Sequence, residues 1–452
     1  MKEGKIFEKL KDNFKSDIYP LHMPGHKRSL YPDGFEIPYG LDITEIEGFD
    51  DLHHPEGLLK DAMDKAASYY GTKATFYLVN GSSCGNLAAI CSQTEYGDEI
   101  LASRNCHKSV YNAVKLRNLK INIIEINDDG EVSAHVIEDA LKDNKNIKVC
   151  VITSPNYEGV VSDIESISKV CRNNNVKLIV DEAHGAHLLS EDFPKSAIKC
   201  GADIVIQSLH KTLPSLTQTA VLHVCSEDVS VDKIREYLGI FESSSPSYIL
   251  MGSIDSCIDY MKECGMDELH AFSKRLDKFY DSLMSLKVLK INRFENAFAH
   301  DKSKIVVSLN DTYFEEYKKL YNDGFGILLG NILRYNYKIE VEMSAVDYII
   351  AMTTIADTDD GLKRVADALL SIDILLSDNL GCFKNIDEIN KRKQLVDMEY
   401  LKANVNKESK VYIYAYPPGS PMITYGEIIT EDVISNIESS MASGLTCYQI
   451  GM

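Results

Sequence analysis

No stretch of the 452 residues approaches the roughly eighteen consecutive apolar residues that a membrane span requires. The opening MKEGKIFEKLKDNFK carries lysines where a secretion signal would carry an apolar core. The expectation is a soluble, cytoplasmic protein with no membrane partner. The eleven cysteines, scattered from Cys84 to Cys447, include no C-x-x-C pair, and their odd number fits reduced thiols better than a disulfide framework. A zinc site is disfavoured on the same ground, and no metal is expected. Basic charge is in deficit: the formal net charge of -20 repels nucleic-acid phosphates and anionic lipid, and weakly attracts a small cation. Internal repeats and low-complexity linkers are also missing, so the length implies one large domain with a smaller companion.

What is present, from about residue 72 to 225, is an alternation of short Val/Ile-rich runs with longer helical stretches: TFYLVN, EILAS, INIIEI, IKVCVITS, VKLIVDEAH, DIVIQS and TAVLHV. This predicts an α/β fold with a mainly parallel sheet wrapped by helices, its chemistry at the carboxyl ends of the strands. Residues 229–290 read as helical, with a break at SSSPSY (243–248). Beyond a boundary placed near residue 295, KIVVSLN, KIEVEMS, YIIAMTT and KVYIYAYP are strand-like pieces of a smaller α+β domain. The charged stretch KNIDEINKRKQLVDMEY reads as a solvated helix.

Two motifs directly follow buried-strand patterns and so open on one rim of the sheet: DEAHGAH at 181–187 and SLHKT at 208–212. An acid and a lysine so placed are what an aldehyde coenzyme on a pyridine ring requires. The Lys211 amine joins the aldehyde, and the Asp181 carboxylate keeps the ring nitrogen protonated, so that the ring accepts electrons from a bond breaking at Cα. Taken singly, Lys211 reads as a solvated loop lysine and Asp181 as a helix cap; two further motifs favour the joint reading. VNGSSCGNLAA at 79–89 is a strand end, a Gly/Ser turn and a helix start, where Gly81, Ser82, Ser83, Cys84 and Gly85 would cradle a phosphate dianion. SRNCHKSVYNA at 103–113 puts His107 at the same rim, either stacked on the pyridine or merely capping a helix.

These residues, in this order, resemble the Orn/Lys/Arg decarboxylase family of pyridoxal-phosphate (PLP) enzymes, in its short Gram-positive form. LHMPGHKR at 21–28, LDITEIEGFDDLHHPEG at 41–57, NGSSCGN, RNCHKS, TSPNYEGVVSDI at 153–164, VDEAHGAH, SLHKTLPSLTQTAVLH, SSPSY and YPPGSP at 416–421 all look like its signatures. The resemblance implies a fold-type-I (aspartate-aminotransferase-like) large domain at 51–295 with a mainly parallel seven-stranded sheet. It further implies an N-terminal segment, 1–50, that completes the active site, and a small domain at 296–452. It makes Lys211 the lysine joined to PLP, directs Ser208 and His210 to the phosphate, pairs Asp181 with the pyridinium, and sets Ala183 and His107 on opposite ring faces. Ser82, Ser83 and the Cys84 amide would bind phosphate, and Ser244 would reach the phosphate of a partner subunit. Cys84 departs from the hydroxyl residue frequent there, and Tyr425 from a frequent proline before Glu427. The implied assembly is a homodimer or higher homo-oligomer with shared active sites; the N-terminal domain of the long inducible forms is not expected.

The same resemblance implies decarboxylation of arginine, lysine or ornithine to a polyamine-pathway amine and CO2. Physical argument leans the same way. Many aminotransferases hold the substrate α-carboxylate with an arginine from the C-terminal domain, whereas the last arginine here is Arg392 and KVYIYAYPPGSP has none. An unclamped carboxylate in an apolar pocket favours loss of neutral CO2, although Arg334 or Arg364 remains available to fold into the site. A basic side chain needs an acid at its far end, for which Asp50, Asp51 and Glu427 are candidates, each equally readable as a cap or surface acid. His184 is a candidate for the substrate carboxylate or the ring. The competing readings are another PLP reaction, such as transamination or elimination, and an inactive regulatory relative, against which the joint presence of Lys211, Asp181 and His107 argues.

Overall fold

The computed structural model describes residues 19–21, 43, 45, 49–321, 324–383, 396–416, 421–443 and 445–450. Most of LHMPGHKR and of YPPGSP, and thus His22 and His26, lies outside the described residues. The large sheet is built from β1 (Ala74–Leu78), β2 (Glu99–Ser103), β3 (Lys120–Ile124), β4 (Ile147–Thr153), β5 (Lys177–Asp181), β6 (Ile204–Gln207) and β7 (Ala220–Val224). Its order is β1-β7-β6-β5-β4-β2-β3, with β7 antiparallel to both neighbours and every other pairing parallel. The expected mainly parallel seven-stranded sheet is therefore present.

Strands covered on both faces must be apolar on both faces, which is why their sequences read as runs and not as alternations. On β4, Val149 and Val151 face one apolar core while Cys150 and Ile152 face the other; on β5, Ile179 opposes Leu178 and Val180 in the same way. The covering helices include α1 (Leu58–Tyr70), α2 (Gly81–Ser92) and α3 (Lys108–Arg117), and, after the sheet, α4 (Tyr248–Ser282). Six of the seven strands point their carboxyl ends to one rim, so the segments that follow them share one edge of the molecule.

Beyond α4 the chain enters a second, four-stranded antiparallel sheet. Its strands are β8 (Leu289–Asn292), β9 (Lys304–Leu309), β10 (Met343–Ser344) and β11 (Tyr348–Met352), in the order β8-β9-β11-β10. Strand β8, which precedes residue 295, already belongs to this sheet. A third sheet of three strands, Tyr412–Tyr416, Pro421–Ile423 and Thr446–Ile450, has its own core around Leu401, Val411 and Ile437. From the N-terminal segment, Tyr19–Leu21 pairs in parallel with Ile339–Val341.

Candidate active site

The rim loops enclose a cavity of about 740 Å³. Its wall includes Ser82 and Ser83 after β1, His107 after β2, Asp181, Ala183 and His184 at the end of β5, and Ser208, His210 and Lys211 after β6. With Gly81, which also lines it, the structure thus brings together in one cavity ten residues singled out above.

Asp181 ends β5 and is 2% exposed. Its Oδ2 accepts from Asn86 Nδ2 at 2.7 Å and its Oδ1 from the Ala183 N–H at 3.2 Å. Burial pushes its carboxyl up, against the opposing pull of Lys211 and Asn86. Asn86 reaches it because α2 lies tight on the sheet: a Cβ at Gly85 would stand 2.8 Å from Leu78 Cδ1 and 3.0 Å from Ile206 Cγ2, so any larger residue would have to push the buried Leu78 side chain aside. The same Asn86 Nδ2 donates to Ser109 Oγ at 3.0 Å, and Ser109 Oγ lies 2.9 Å from His107 Nδ1. His107 Nδ1 also accepts the Ser109 N–H, capping α3. His107 is therefore both a cap and a cavity wall. Burial first, then the Lys211 and Lys108 charges, hold its pKa down to about 3, so the ring is neutral.

Lys211 stands on the one-turn helix Leu209–Thr212 between β6 and β7, with its Nζ 2.9 Å from His184 Nε2. Burial lowers its pKa; Asp181 and Glu342 oppose this and Lys304 adds to it. His184 is held well below its ordinary value by burial and by the Lys211 and Lys304 charges, and its ring meets Tyr157 edge-on at 4.6 Å. His210 Nδ1 lies 2.8 Å from the Thr219 carbonyl oxygen, and burial takes its pKa to about 4.

At the turn before α2, Asn80 supplies no side-chain cap and the Gly81 N–H donates to the Gln218 carbonyl at 2.9 Å, which leaves the N–H groups of Ser82 and Ser83, both on the cavity wall, without a capping side chain. Cys84 is buried behind them, its Sγ on the Gly81 carbonyl at 3.0 Å. The buried Ser208 hydroxyl and His184 Nδ1 have no hydrogen-bond partner among the described residues.

Besides Cys84 and Gly85, four candidates lie outside the lining of this cavity. Asp50 Oδ2 accepts the N–H groups of Gly57 at 2.7 Å and Leu59 at 3.1 Å, capping α1 from a distance because its own N-cap, Gly57, has no side chain. Asp51 accepts from the His53 N–H at 2.8 Å and meets His54 at 3.1 Å. Ser244 is exposed on the segment before α4. Glu427 pairs with Arg104 Nη2 at 2.8 Å and accepts the Thr424 N–H at 2.7 Å. Arg104, the one arginine lining the cavity among the described residues, is also held by Glu125 at 2.6 Å. Arg334 and Arg364 stay away, on Glu340 and on the Tyr337 and Lys338 carbonyls.

Asn86, Ser109, Tyr157 and the acids Asp128, Asp129 and Glu158 on the cavity wall were not among the residues expected from sequence. The one available signal was Asn86 itself, a polar residue in the middle of α2 directly before the apolar run LAAIC. Among the described residues no helix is long and apolar enough to cross a membrane, and no cluster of three or more His, Cys, Asp or Glu could hold a metal.

Comparison with known proteins bears on this geometry. A family profile described as Orn/Lys/Arg decarboxylase, major domain, matches residues 6–320. The chain is 32% identical to the Bacillus subtilis protein YaaO, over 96% of this chain and 93% of that one. It is 28% identical to an arginine decarboxylase of Bacillus anthracis, over 98% and 94%. Among solved structures it superposes on the Francisella novicida lysine decarboxylase LdcF with a TM-score of 0.73 at 17% identity, covering 98% of this chain and 80% of that one, a likeness of fold. The chain belongs to the Orn/Lys/Arg decarboxylase family of fold-type-I, PLP-dependent enzymes.

Proposed function

We propose that the chain holds PLP in the cavity around Lys211 and decarboxylates a basic amino acid, arginine foremost, to the corresponding amine and CO2. The observation that carries this reading is the convergence of Lys211, Asp181 and His107 on one cavity that also receives the uncapped start of α2. The residues fit the coenzyme. The unpartnered Ser208 hydroxyl and the N–H groups of Ser82 and Ser83, which the helix itself leaves open, suit a phosphate; the Cys84 N–H is the first that the helix takes up. Asp181 suits the ring nitrogen, Ala183 and His107 the two ring faces, and Lys211 the aldehyde carbon. When bound, the coenzyme supplies an electron sink for the pair left at Cα.

The chain's own residues do the rest. Asp181 keeps its proton-holding partner close through a carboxylate already fixed by Asn86 and Ala183. His184 Nε2 holds the Lys211 amine in place while that amine is free, and Lys211 is then the group set to return a proton to the substrate carbon. With Arg104 committed to Glu125 and Glu427, no free guanidinium among the described residues clamps the α-carboxylate, which leaves it to depart as CO2. Asp128, Asp129 and Glu158 set negative charge on the wall that a cationic side chain would meet. Arginine comes first because the Bacillus anthracis arginine decarboxylase aligns over nearly the whole chain. Residues 1–50 are proposed to complete a site, with Ser244 reaching the phosphate bound by a partner copy in a homodimer.

The test is to supply PLP with arginine, lysine or ornithine separately, and to measure CO2, amine, keto acid and ammonia. One amine in step with CO2 is expected, lost together with the yellow colour in Lys211→Ala. Keto acid without CO2, or colour surviving that substitution, overturns the reading.

A further inference from the structure

Behind the cavity lies an ion pair that the reaction as described does not use. Lys304, the first residue of β9, is 0% exposed, as is Asp301. The ammonium meets Asp301 Oδ2 at 3.1 Å, Ser303 Oγ at 3.2 Å and the His184 carbonyl oxygen at 3.5 Å, so each of its three protons has an acceptor. Asp301 in turn accepts from Ser303 Oγ at 2.8 Å and from the Ser303 N–H at 2.9 Å, and meets His187 Nε2 at 3.1 Å. Burial pushes the Asp301 carboxyl up, but Lys304 and His187 outweigh it and hold it well below the ordinary carboxylate range. The large domain makes room for the pair. Gly159 has φ +94°, and a Cβ there would lie 2.8 Å from Lys304 Cγ and 3.0 Å from the Asp301 carbonyl oxygen.

A buried ion pair seldom stabilises a fold relative to apolar residues of the same volume. What this one does is grip a turn at both ends. His184 and His187 are the two histidines of HGAH; Lys304 holds the backbone of the first and Asp301 the ring of the second. The turn between them is closed by the Leu188 N–H on the Gly185 carbonyl at 3.0 Å. At its leading end stands the His184 ring that meets Lys211.

We propose that Lys304 and Asp301 are positioning residues, which fix the His184 turn from the small-domain side so that His184 stays aimed at Lys211. The inference rests on the PLP reading above. The charged and titratable groups around His184 and Lys211 are Asp181, His107, Tyr157, Glu342, Asp301 and Lys304. Of these the Lys304 cation lies directly behind the His184 backbone, where it opposes protonation of both the imidazole and the amine.

The test is the double substitution Lys304→Met with Asp301→Asn, which leaves no orphaned charge and so spares the fold, beside Lys304→Met alone. Apoprotein is mixed with PLP across pH, and the rate at which the yellow colour appears reports the fraction of Lys211 amine that is unprotonated. In the double variant the midpoint of that profile is expected to move to higher pH, with kcat down about tenfold and KM within about twofold. In a His184→Gln background the same pair of changes is expected to lower kcat no further, because the positioning acts through His184, whereas the part of the midpoint shift that the Lys304 charge exerts directly on the amine persists. A folded double variant with wild-type kcat, or kcat losses that multiply in the His184→Gln background, overturns the positioning role. Wild-type protein that takes up no PLP overturns instead the reading on which it rests.

Discussion

The side chain on which the site geometry turns is Asn86, and Asn86→Ala is the most informative single change. One amide nitrogen donates at 2.7 Å to Asp181 and at 3.0 Å to Ser109, which in turn orients His107. A hydrogen bond to a buried charged group contributes about 1.5–3 kcal/mol, which corresponds to roughly 10- to 150-fold in an equilibrium or rate constant. Burial already pushes the Asp181 carboxyl up, and Asn86 is one of the contacts that resist. With Asn86 gone, the proton is held by Asp181 to higher pH, and a protonated Asp181 cannot keep a pyridine nitrogen charged. The acid limb of the kcat/KM profile is therefore expected to move to higher pH, with a loss of roughly 10- to 150-fold below it that recovers as pH rises. The assay is amine release across pH in protein whose far-ultraviolet circular dichroism matches the wild type. Ser109→Ala breaks only the His107 branch and is expected to lower the rate without moving the limb. An unmoved limb in Asn86→Ala, or a loss smaller than about threefold, refutes the argument from Asp181.

Glu427→Gln weakens the tie from Arg104 to the three-stranded unit, so a lower melting temperature is expected with KM for substrate within about twofold of wild type. A large rise in KM would instead return Glu427 to the substrate site. Asp50→Ala removes the remote cap of α1 and is expected to cost about 1–2 kcal/mol in urea denaturation while kcat is unchanged. The cofactor-free protein is expected to lose stability below pH 6.5, the ordinary value of the histidines that burial holds down: His107 and His223 to about 3, His210 to about 4, and His184 and His300 below their ordinary value. Below that pH the unfolded chain takes up protons that the folded chain refuses, and stability drains until the folded values are passed. Glu182, raised to about 7 by burial, keeps a proton in the folded state, and the raised Asp181 and Glu242 carboxyls act in the same sense, which offsets part of the loss. Each net proton corresponds to roughly 1.4 kcal/mol per pH unit, so a flat urea midpoint between pH 6.5 and 5 contradicts it.

The fold was legible because a strand covered on both faces can only be an apolar run, and such runs are visible without partners. Lys211, Asp181 and His107 were legible because each follows such a run within a few residues, so locating the strand locates the side chain. Asn86 was not, since its partner Asp181 is 95 positions away and nothing local marks the pairing. The acids failed for the opposite reason. Asp50, Asp51 and Glu427 sit in conspicuous motif blocks, but a carboxylate near an unsatisfied N–H or a guanidinium is captured locally. Asp50 is taken by the start of α1, and Glu427 by Arg104. Of the acids that do line the cavity, Asp128 and Asp129 stand in a loop with no motif of their own, and Glu158, though inside TSPNYEGVVSDI, has no local feature that marks it from its neighbours.

The large-domain rim and the small domain therefore contribute in different ways. A parallel sheet delivers loops to a common edge, but a loop that leaves a strand is free to swing, and a reaction steered by the orientation of one bond at Cα needs its catalytic groups held to a fraction of an ångström. The holding contacts come from elsewhere: Asn86 on α2 for Asp181 and His107, Lys304 and Asp301 on the small-domain side for His184. These contacts are polar and buried, so each is specific in direction and costly to leave half made. Because the second set reaches across from the four-stranded sheet, any movement of that sheet relative to the large one is transmitted to the nitrogen that faces Lys211.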